Sequence, residues 1–184
     1  MDPSYLVPVA QLMRDVPSVA EVVLRAPFDA EHDFAPRGPA ETDVAPESPV
    51  DVAVTLQSFG GGLRVRGSVA APWFGVCRRC SIAVHGEVRV AVDERFVDHP
   101  EPGDEEAYPI ENDFIDLAPL VRDAILLELP LAPLCRDECR GLCPYCGIDR
   151  NEAECACEAP VDPRWATLDG LRFADGTSAE SNEA

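Results

Sequence analysis

The middle of the chain alternates apolar with polar residues at every second position, which is the pattern of half-buried β-strands. It does so in VDVAVTLQSF at 50–59, LRVRGSVAA at 63–71 and IAVHGEVRVAVDERF at 82–96. The glycines at 60–62 read as a hairpin turn between the first two runs, and VAEVVLR at 19–25 supplies a further strand. The pattern predicts four or five antiparallel strands.

A helical spacing replaces the alternation between residues 116 and 129. Asp116 suits the N-cap, Pro119 is tolerated in the first turn, and Pro130 ends the helix. One face is apolar, at offsets of 0, 3, 4, 7 and 8: Leu117, Leu120, Val121, Ala124 and Ile125. We expect this helix to pack on the sheet.

Charge changes this picture, because the chain is acidic and its acids are clustered. Over 184 residues the net charge is −19, and every cationic side chain is arginine. Residues 27–49 and 98–116 are rich in acids and proline and are interpreted as solvated loops. Such acidity argues against broad nucleic-acid binding and favours basic partners.

The N-terminus, MDPSYLVPVAQLMRD, lacks the basic and long apolar regions of a signal peptide. No run approaches the roughly 18 apolar residues of a membrane span. We therefore expect a cytoplasmic protein, in which thiols stay reduced and cysteines serve metal or redox chemistry.

Eight cysteines are the strongest chemical signal. Cys-x-x-Cys pairs in tight turns are typical of zinc knuckles, and two pairs of thiolates close a tetrahedral site. Two structural zinc ions are therefore predicted, held by Cys77, Cys80, Cys135, Cys139, Cys143, Cys146, Cys155 and Cys157. Such closed sites have no open coordination position and would contribute folding energy.

Spacing favours one partition of the cysteines but leaves others open. The favoured one groups the first four in sequence order and then the last four. A rival puts Cys135, Cys139, Cys143 and Cys146 in one local site, and iron–sulfur ligation is a third reading.

The fold class that follows is α+β: a small antiparallel β-sheet or partial barrel with one packed helix and a cysteine-rich zinc-binding C-terminal extension. The β-rich core is expected to span 1–134 and the zinc-binding segment 135–158. A short docking helix at 159–173 and a disordered tail at 174–184 complete the prediction.

No catalytic constellation accompanies the cysteines, so we expect no enzyme. The alternative is a thiol–disulfide oxidoreductase that uses Cys143 and Cys146 of the CPYC motif, although too few residues follow to complete a glutaredoxin-like fold.

Arginines beside the cysteines have two readings. Arg78 and Arg79 can balance thiolate charge, or they can join Arg64 and Arg66 in a local contact with rRNA phosphate.

Three segments together resemble a known family. WFGVCRRC, IDLAPLVRDAILLELPLAPLC and CRGLCPYCG are similar to the bacterial YceD family of large ribosomal RNA subunit accumulation proteins. The resemblance implies a non-enzymatic ribosome biogenesis role in the accumulation or processing of 23S rRNA. It also implies a basic large-subunit ribosomal protein, or a pre-50S particle, as the partner.

Overall fold

The structure is a computed structural model that describes residues 3–28, 42–99 and 107–157, together with Arg164. Its strands are β1 (Leu6–Pro8), β2 (Val19–Pro27), β3 (Pro49–Phe59), β4 (Gly62–Val76), β5 (Ala83–Val97), β6 (Tyr108–Glu111) and β7 (Phe114–Asp116). Its α-helices are α1 (Ala10–Arg14) and α2 (Ala118–Glu128), and a 3-10 turn covers Pro3–Tyr5.

The strands form one curled sheet in the order β1-β7-β6-β5-β4-β3-β2. All neighbours are antiparallel except β5 and β6, which pair in parallel at Phe96 and Val97. The three long strands β3, β4 and β5 carry the alternation seen in the sequence, so that one face is buried and the other meets solvent. The predicted turn at the glycines is confirmed, and Gly61 takes a positive φ of 92° there.

Helix α2 covers the buried face of the sheet and confirms the predicted helix within two residues at its start. Leu120, Val121 and Ile125 are at most 2% exposed. The N-cap is Leu117 rather than the predicted Asp116, whose carboxylate lies one residue further out and accepts a hydrogen bond from the Ala118 amide (2.9 Å). Leu129 stands at the C-terminal end, just before Pro130.

The N-terminal segment contributes to the same core, beside the start of α2, where the Leu117 amide donates to the Tyr5 carbonyl oxygen (3.1 Å). Tyr5 is fully buried, and its hydroxyl donates a hydrogen bond to the carbonyl oxygen of Pro27 (2.9 Å). Tyr5 and Phe96 are among the largest fully buried side chains, and they share one core with the apolar faces of the sheet and α2.

The sheet differs from the sequence prediction in the number of its strands and in their relative direction. Over the described residues it has seven strands and one parallel pair, whereas four or five antiparallel strands were expected. The stretch 98–116, interpreted as a loop, contains β6 and β7. Ile110 and Ile115 pair across these two strands and are buried, while their acidic neighbours face solvent. Strands this short carry too few alternating positions for the pattern to reveal them.

Several predicted segments lie outside the described residues. These are 29–41 in the first acidic loop, 100–106 in the second, and the predicted docking helix and tail apart from Arg164. Among the described residues, no helix is long and apolar enough to cross a bilayer. The cytoplasmic location stays a prediction.

Candidate metal centre

The first group of four cysteines joins the sheet to the chain that leaves α2. Cys77 and Cys80 occupy the turn between β4 and β5, and Cys135 and Cys139 follow the helix. The Sγ atoms of Cys77 and Cys139 lie 3.8 Å apart, and those of Cys80 and Cys135 lie 3.7 Å apart. All four Sγ atoms lie within 4.8 Å of one another. We refer to these residues as cluster one.

These separations fit a single tetrahedral ion. Four sulfurs at about 2.3 Å from one zinc stand about 3.8 Å apart at the corners of a tetrahedron. An iron–sulfur cluster would push the cysteine sulfurs further apart, because several metal atoms and bridging sulfides lie between them. The donor set and its spacing therefore favour a mononuclear four-thiolate site.

The turn between β4 and β5 directs backbone N–H groups at the Cys77 sulfur. The Cys77 amide donates to the Ile82 carbonyl oxygen (2.8 Å), and the Ser81 amide donates to the Cys77 carbonyl oxygen (2.9 Å). Burial raises the pKa of the Cys77 thiol, but N–H groups of Arg79, Cys135 and Cys80 outweigh it and lower the pKa to about 6. The turn thus prepares a thiolate, the form that binds metal.

The Arg79 side chain connects the β4–β5 turn to the segment that carries Cys135 and Cys139. Its guanidinium donates to the carbonyl oxygens of Asp137 (3.2 Å) and Cys139 (2.9 Å). The Arg78 amide donates to the Pro133 carbonyl oxygen (2.9 Å). The Arg79 side chain therefore has a structural partner in the turn that carries Cys135 and Cys139.

A second group forms a knuckle of its own further along the chain. The Sγ atoms of Cys143, Cys146, Cys155 and Cys157 also lie within 4.8 Å of one another, and we refer to these residues as cluster two. The Cys143 amide donates to the Ile148 carbonyl oxygen (2.8 Å), and the Gly147 amide donates to the Cys143 carbonyl oxygen (2.9 Å). Cys143 is buried, whereas Cys146 and Cys157 are exposed, so cluster two lies nearer the surface.

The thiols within each cluster differ in acidity. N–H groups of Cys146 and Tyr145 lower the pKa of Cys143 to about 6. The hydrogen-bond contact with the Cys146 sulfur, together with partial loss of solvent around the thiol, raises the pKa of Cys157 to about 12. In cluster one, burial and the neighbouring thiols raise the pKa of Cys135 to about 12. Four adjacent negative charges repel one another, so a divalent cation is the partner that lets all four ionise.

The two clusters are joined through a close backbone contact. The Leu142 amide donates to the Arg79 carbonyl oxygen (2.8 Å), which places the chain between the clusters against the β4–β5 turn. Gly141 has a φ of 70°, and a Cβ atom there would lie 2.7 Å from the same oxygen. Glycine is required here because a side chain would collide with backbone.

The chain matches the family model described as "Large ribosomal RNA subunit accumulation protein YceD" over residues 65–172, which is more than half of its length. The chain belongs to the YceD family. The matched region contains both cysteine clusters and α2.

Curated relatives support the match. The uncharacterized protein Rv2926c of Mycobacterium tuberculosis is 39% identical over 123 residues, which is 64% of this chain and 59% of that protein. The uncharacterized protein YlbN of Bacillus subtilis is 32% identical over 106 residues, 55% of this chain and 62% of that protein. The chain thus spans about three fifths of the length of these relatives.

A plant relative carries the family's descriptive name. "Large ribosomal RNA subunit accumulation protein YCED homolog 1, chloroplastic" of Arabidopsis thaliana is 33% identical over 66 residues, 35% of this chain and 21% of that protein. No solved structure matches the chain.

Within this family member, the partition of cysteines favoured from the sequence is the one that the structure contains. The rival grouping, which puts Cys135 and Cys139 with Cys143 and Cys146, is wrong. It fails because α2 returns the chain beside the β4–β5 turn before Cys143 is reached. That the clusters hold zinc stays a prediction.

The four arginines considered for rRNA contact have different surroundings. Asp93 on β5 takes a bidentate hydrogen bond from Arg64 (2.6 and 2.8 Å) and a further one from Arg66 (3.0 Å). Arg79 is bound to carbonyl oxygens, while Arg78 is exposed.

A separate feature of this YceD protein is an apolar cavity of about 290 Å³ where the β6–β7 hairpin meets β1 and the start of α2. Phe114 in its wall is 43% exposed, and the Tyr108 hydroxyl donates to an Asp123 carboxylate oxygen (3.3 Å). The wall is formed by Leu6, Tyr108, Pro109, Glu111, Asn112, Phe114, Asp116 and Pro119. The lining is mostly apolar and includes two acidic residues, Glu111 and Asp116.

Proposed function

We propose that the protein is a non-enzymatic ribosome biogenesis factor that promotes the accumulation or processing of 23S rRNA. The observation that carries this proposal is the family match over residues 65–172. The description printed for the family, and the name of the Arabidopsis relative, both refer to accumulation of large-subunit ribosomal RNA.

Zinc is the ion proposed for both clusters, in a structural role. Zinc prefers four thiolates in tetrahedral geometry, and sulfur separations of 3.7 and 3.8 Å suit its bond lengths. When bound, the ions would supply the positive charge that the clustered thiolates need. They would also stabilise residues 135–157, which form neither helix nor named strand.

A basic ribosomal protein, free or on a pre-50S particle, is the proposed partner. The net charge of −19 favours attraction to a cationic protein over contact with RNA phosphate. The mostly apolar cavity, with Glu111 and Asp116 in its lining, suits a cationic segment that carries an apolar side chain. Contact with rRNA through Arg64 and Arg66 is the weaker candidate, because Asp93 neutralises part of their charge.

The test is a pull-down with the tagged full-length protein from a bacterial lysate. We expect large-subunit ribosomal proteins or precursor particles to co-purify at low salt. Their recovery should fall steeply as salt rises from about 0.05 M to about 0.5 M, because exposed charges are screened. Absence of large-subunit components at low salt, or recovery insensitive to salt, would count against the proposal.

Matched charge variants locate the contact. Glu111→Gln with Asp116→Asn removes two charges at the cavity, and Asp116→Asn keeps the oxygen that accepts from the Ala118 amide. Asp51→Asn with Glu87→Gln removes the same charge from the exposed face of β3 and β5. Only the first pair should weaken recovery. Equal loss with both pairs would mean that overall charge, rather than the cavity, attracts the partner.

One observation favours a second candidate, a thiol–disulfide oxidoreductase that uses Cys143 and Cys146. N–H groups lower the pKa of Cys143 to about 6, as expected of an attacking thiolate. The pKa of Cys77 is lowered to about 6 as well, and Cys77 lies in a turn without a CPYC motif. A lowered pKa at Cys143 is therefore equally consistent with metal binding. Reduction of insulin disulfides by the metal-free protein, with dithiothreitol as the electron donor and with the rate above that of dithiothreitol alone abolished by Cys143→Ser, would favour the enzyme.

A further inference from the structure

The loop of cluster two returns to touch cluster one. Residues 147–154 connect Cys146 to Cys155, so both ends of this loop carry ligand candidates of cluster two. Within the loop, the Glu152 and Ala153 amides donate to the Asp149 carbonyl oxygen (3.1 and 3.0 Å) and form a tight turn. Asn151 sits in this turn.

The side chain of Asn151 reaches a sulfur of the other cluster. Its Nδ2 atom donates to the Cys139 Sγ atom (3.4 Å), and its Oδ1 atom accepts from the Arg140 amide (2.8 Å). The Asp149 carboxylate accepts from both the Asn151 backbone amide (2.8 Å) and Nδ2 (2.6 Å). The amide group is therefore fixed at both ends, with one N–H directed at a thiol of cluster one.

Backbone contacts hold the loop in the same position. The Arg150 amide donates to the Gly141 carbonyl oxygen (2.9 Å), and Leu142 and Asp149 form a β-bridge. The Leu142 amide in turn donates to the carbonyl oxygen of Arg79, inside the first knuckle. A continuous series of hydrogen bonds thus runs from the loop of cluster two to cluster one.

We infer that Asn151 couples the two clusters, so that an ion in cluster two strengthens the binding of an ion in cluster one. The inference rests on the proposed metal binding. An ion that joins the four ligand candidates at the two ends of loop 147–154 would add to the backbone contacts and restrict the loop further. The restricted loop keeps the Asn151 Nδ2 donor on the Cys139 sulfur. Donors of this kind orient a metal ligand and stabilise its negative charge.

Cadmium NMR of the full-length chain tests the coupling, because each four-sulfur site gives its own resonance. A chelator is titrated in until each resonance disappears, which reports the affinity of each cluster separately. We expect Asn151→Ala to weaken cluster one about 10-fold, the scale on which such second partners act. Cys155→Ser with Cys157→Ser, which breaks cluster two, should weaken cluster one by a similar factor.

The combination of these changes is decisive. If Asn151 carries the coupling, breaking cluster two in the Asn151→Ala background should weaken cluster one no further. The inference would be overturned if the two fold-losses in the metal affinity of cluster one multiplied in the combined variant. It would also be overturned if Asn151→Ala alone left the affinity of cluster one unchanged.

Further variants guard against misfolding as the explanation. Asp149→Ala leaves every sulfur in place but removes the carboxylate that positions Asn151, and it should reproduce the loss at cluster one. Glu152→Gln, an exposed neighbour in the same turn, should leave both resonances unchanged.

The outcomes separate this inference from the proposed function. Two independent cadmium sites in a protein that still captures ribosomal components would overturn the coupling alone. A chain that binds no cadmium would overturn both the coupling and the metal role. Coupled sites in a protein that captures no ribosomal component would leave the coupling intact and contradict the assembly role.

Discussion

Asp93 forms ion pairs with two arginines on the exposed face of the sheet and so partly neutralises their charge. It lies on β5 opposite Arg66 and accepts hydrogen bonds from both Arg64 and Arg66. These arginines hold the pKa of the Asp93 carboxyl well below its usual range. A carboxyl of this kind contributes stability above its unfolded pKa of about 3.9, and the contribution is lost as pH falls towards its folded pKa.

Asp93→Asn should therefore lower the free energy of unfolding slightly at pH 7, because all three groups are exposed and well screened. The deficit relative to the natural chain should shrink as pH falls below about 4, where Asp93 begins to protonate in the unfolded chain. Urea unfolding of the natural chain and of the Asp93→Asn variant, at several pH values between 7 and about 3, measures this difference in the free energy of unfolding. A deficit that grows with acidity would contradict the ion-pair account.

Helix α2 is the element that links the sheet to the cysteines. Its apolar face packs on β4 and β5, and its C-terminal end delivers the chain to Cys135 beside the β4–β5 turn. Losing helix packing should therefore destabilise both the core and cluster one.

Ile125→Ala should cost about 2–5 kcal/mol of unfolding free energy, because a fully buried side chain would leave a cavity. Leu127→Ala on the same helix is the matched control. Leu127 is 88% exposed, so its replacement should change stability by no more than about 0.5 kcal/mol. Chemical unfolding monitored by circular dichroism measures both, and equal effects would refute the assigned helix face.

The elements that sequence reasoning recovers are those with a long periodic signal. Strands β3 to β5 and helix α2 each bury one regular face, so alternation or helical spacing reveals them. Strands β1, β6 and β7 have three or four residues, and their pairing depends on neighbours distant in sequence. Asn151 was missed for a similar reason, since a single asparagine among acids carries no signal until the loop folds back onto Cys139.

At the scale of the whole molecule, two features are combined. The chain is strongly anionic, and two thiol clusters join the β4–β5 turn and residues 135–157, which form neither a helix nor one of the strands β1–β7. The family match over residues 65–172 contains both clusters. On this account the ions would hold the C-terminal segment in shape against the sheet, while the acidic surface attracts a basic assembly partner.

Native mass spectrometry of the full-length protein, purified without chelator, tests the central claim most directly. The account predicts a chain carrying two zinc ions with all eight cysteines protected from alkylation. Removing the ions should expose the thiols and unfold residues 135–157. A folded, metal-free chain whose cysteines are all alkylated without loss of structure would contradict it.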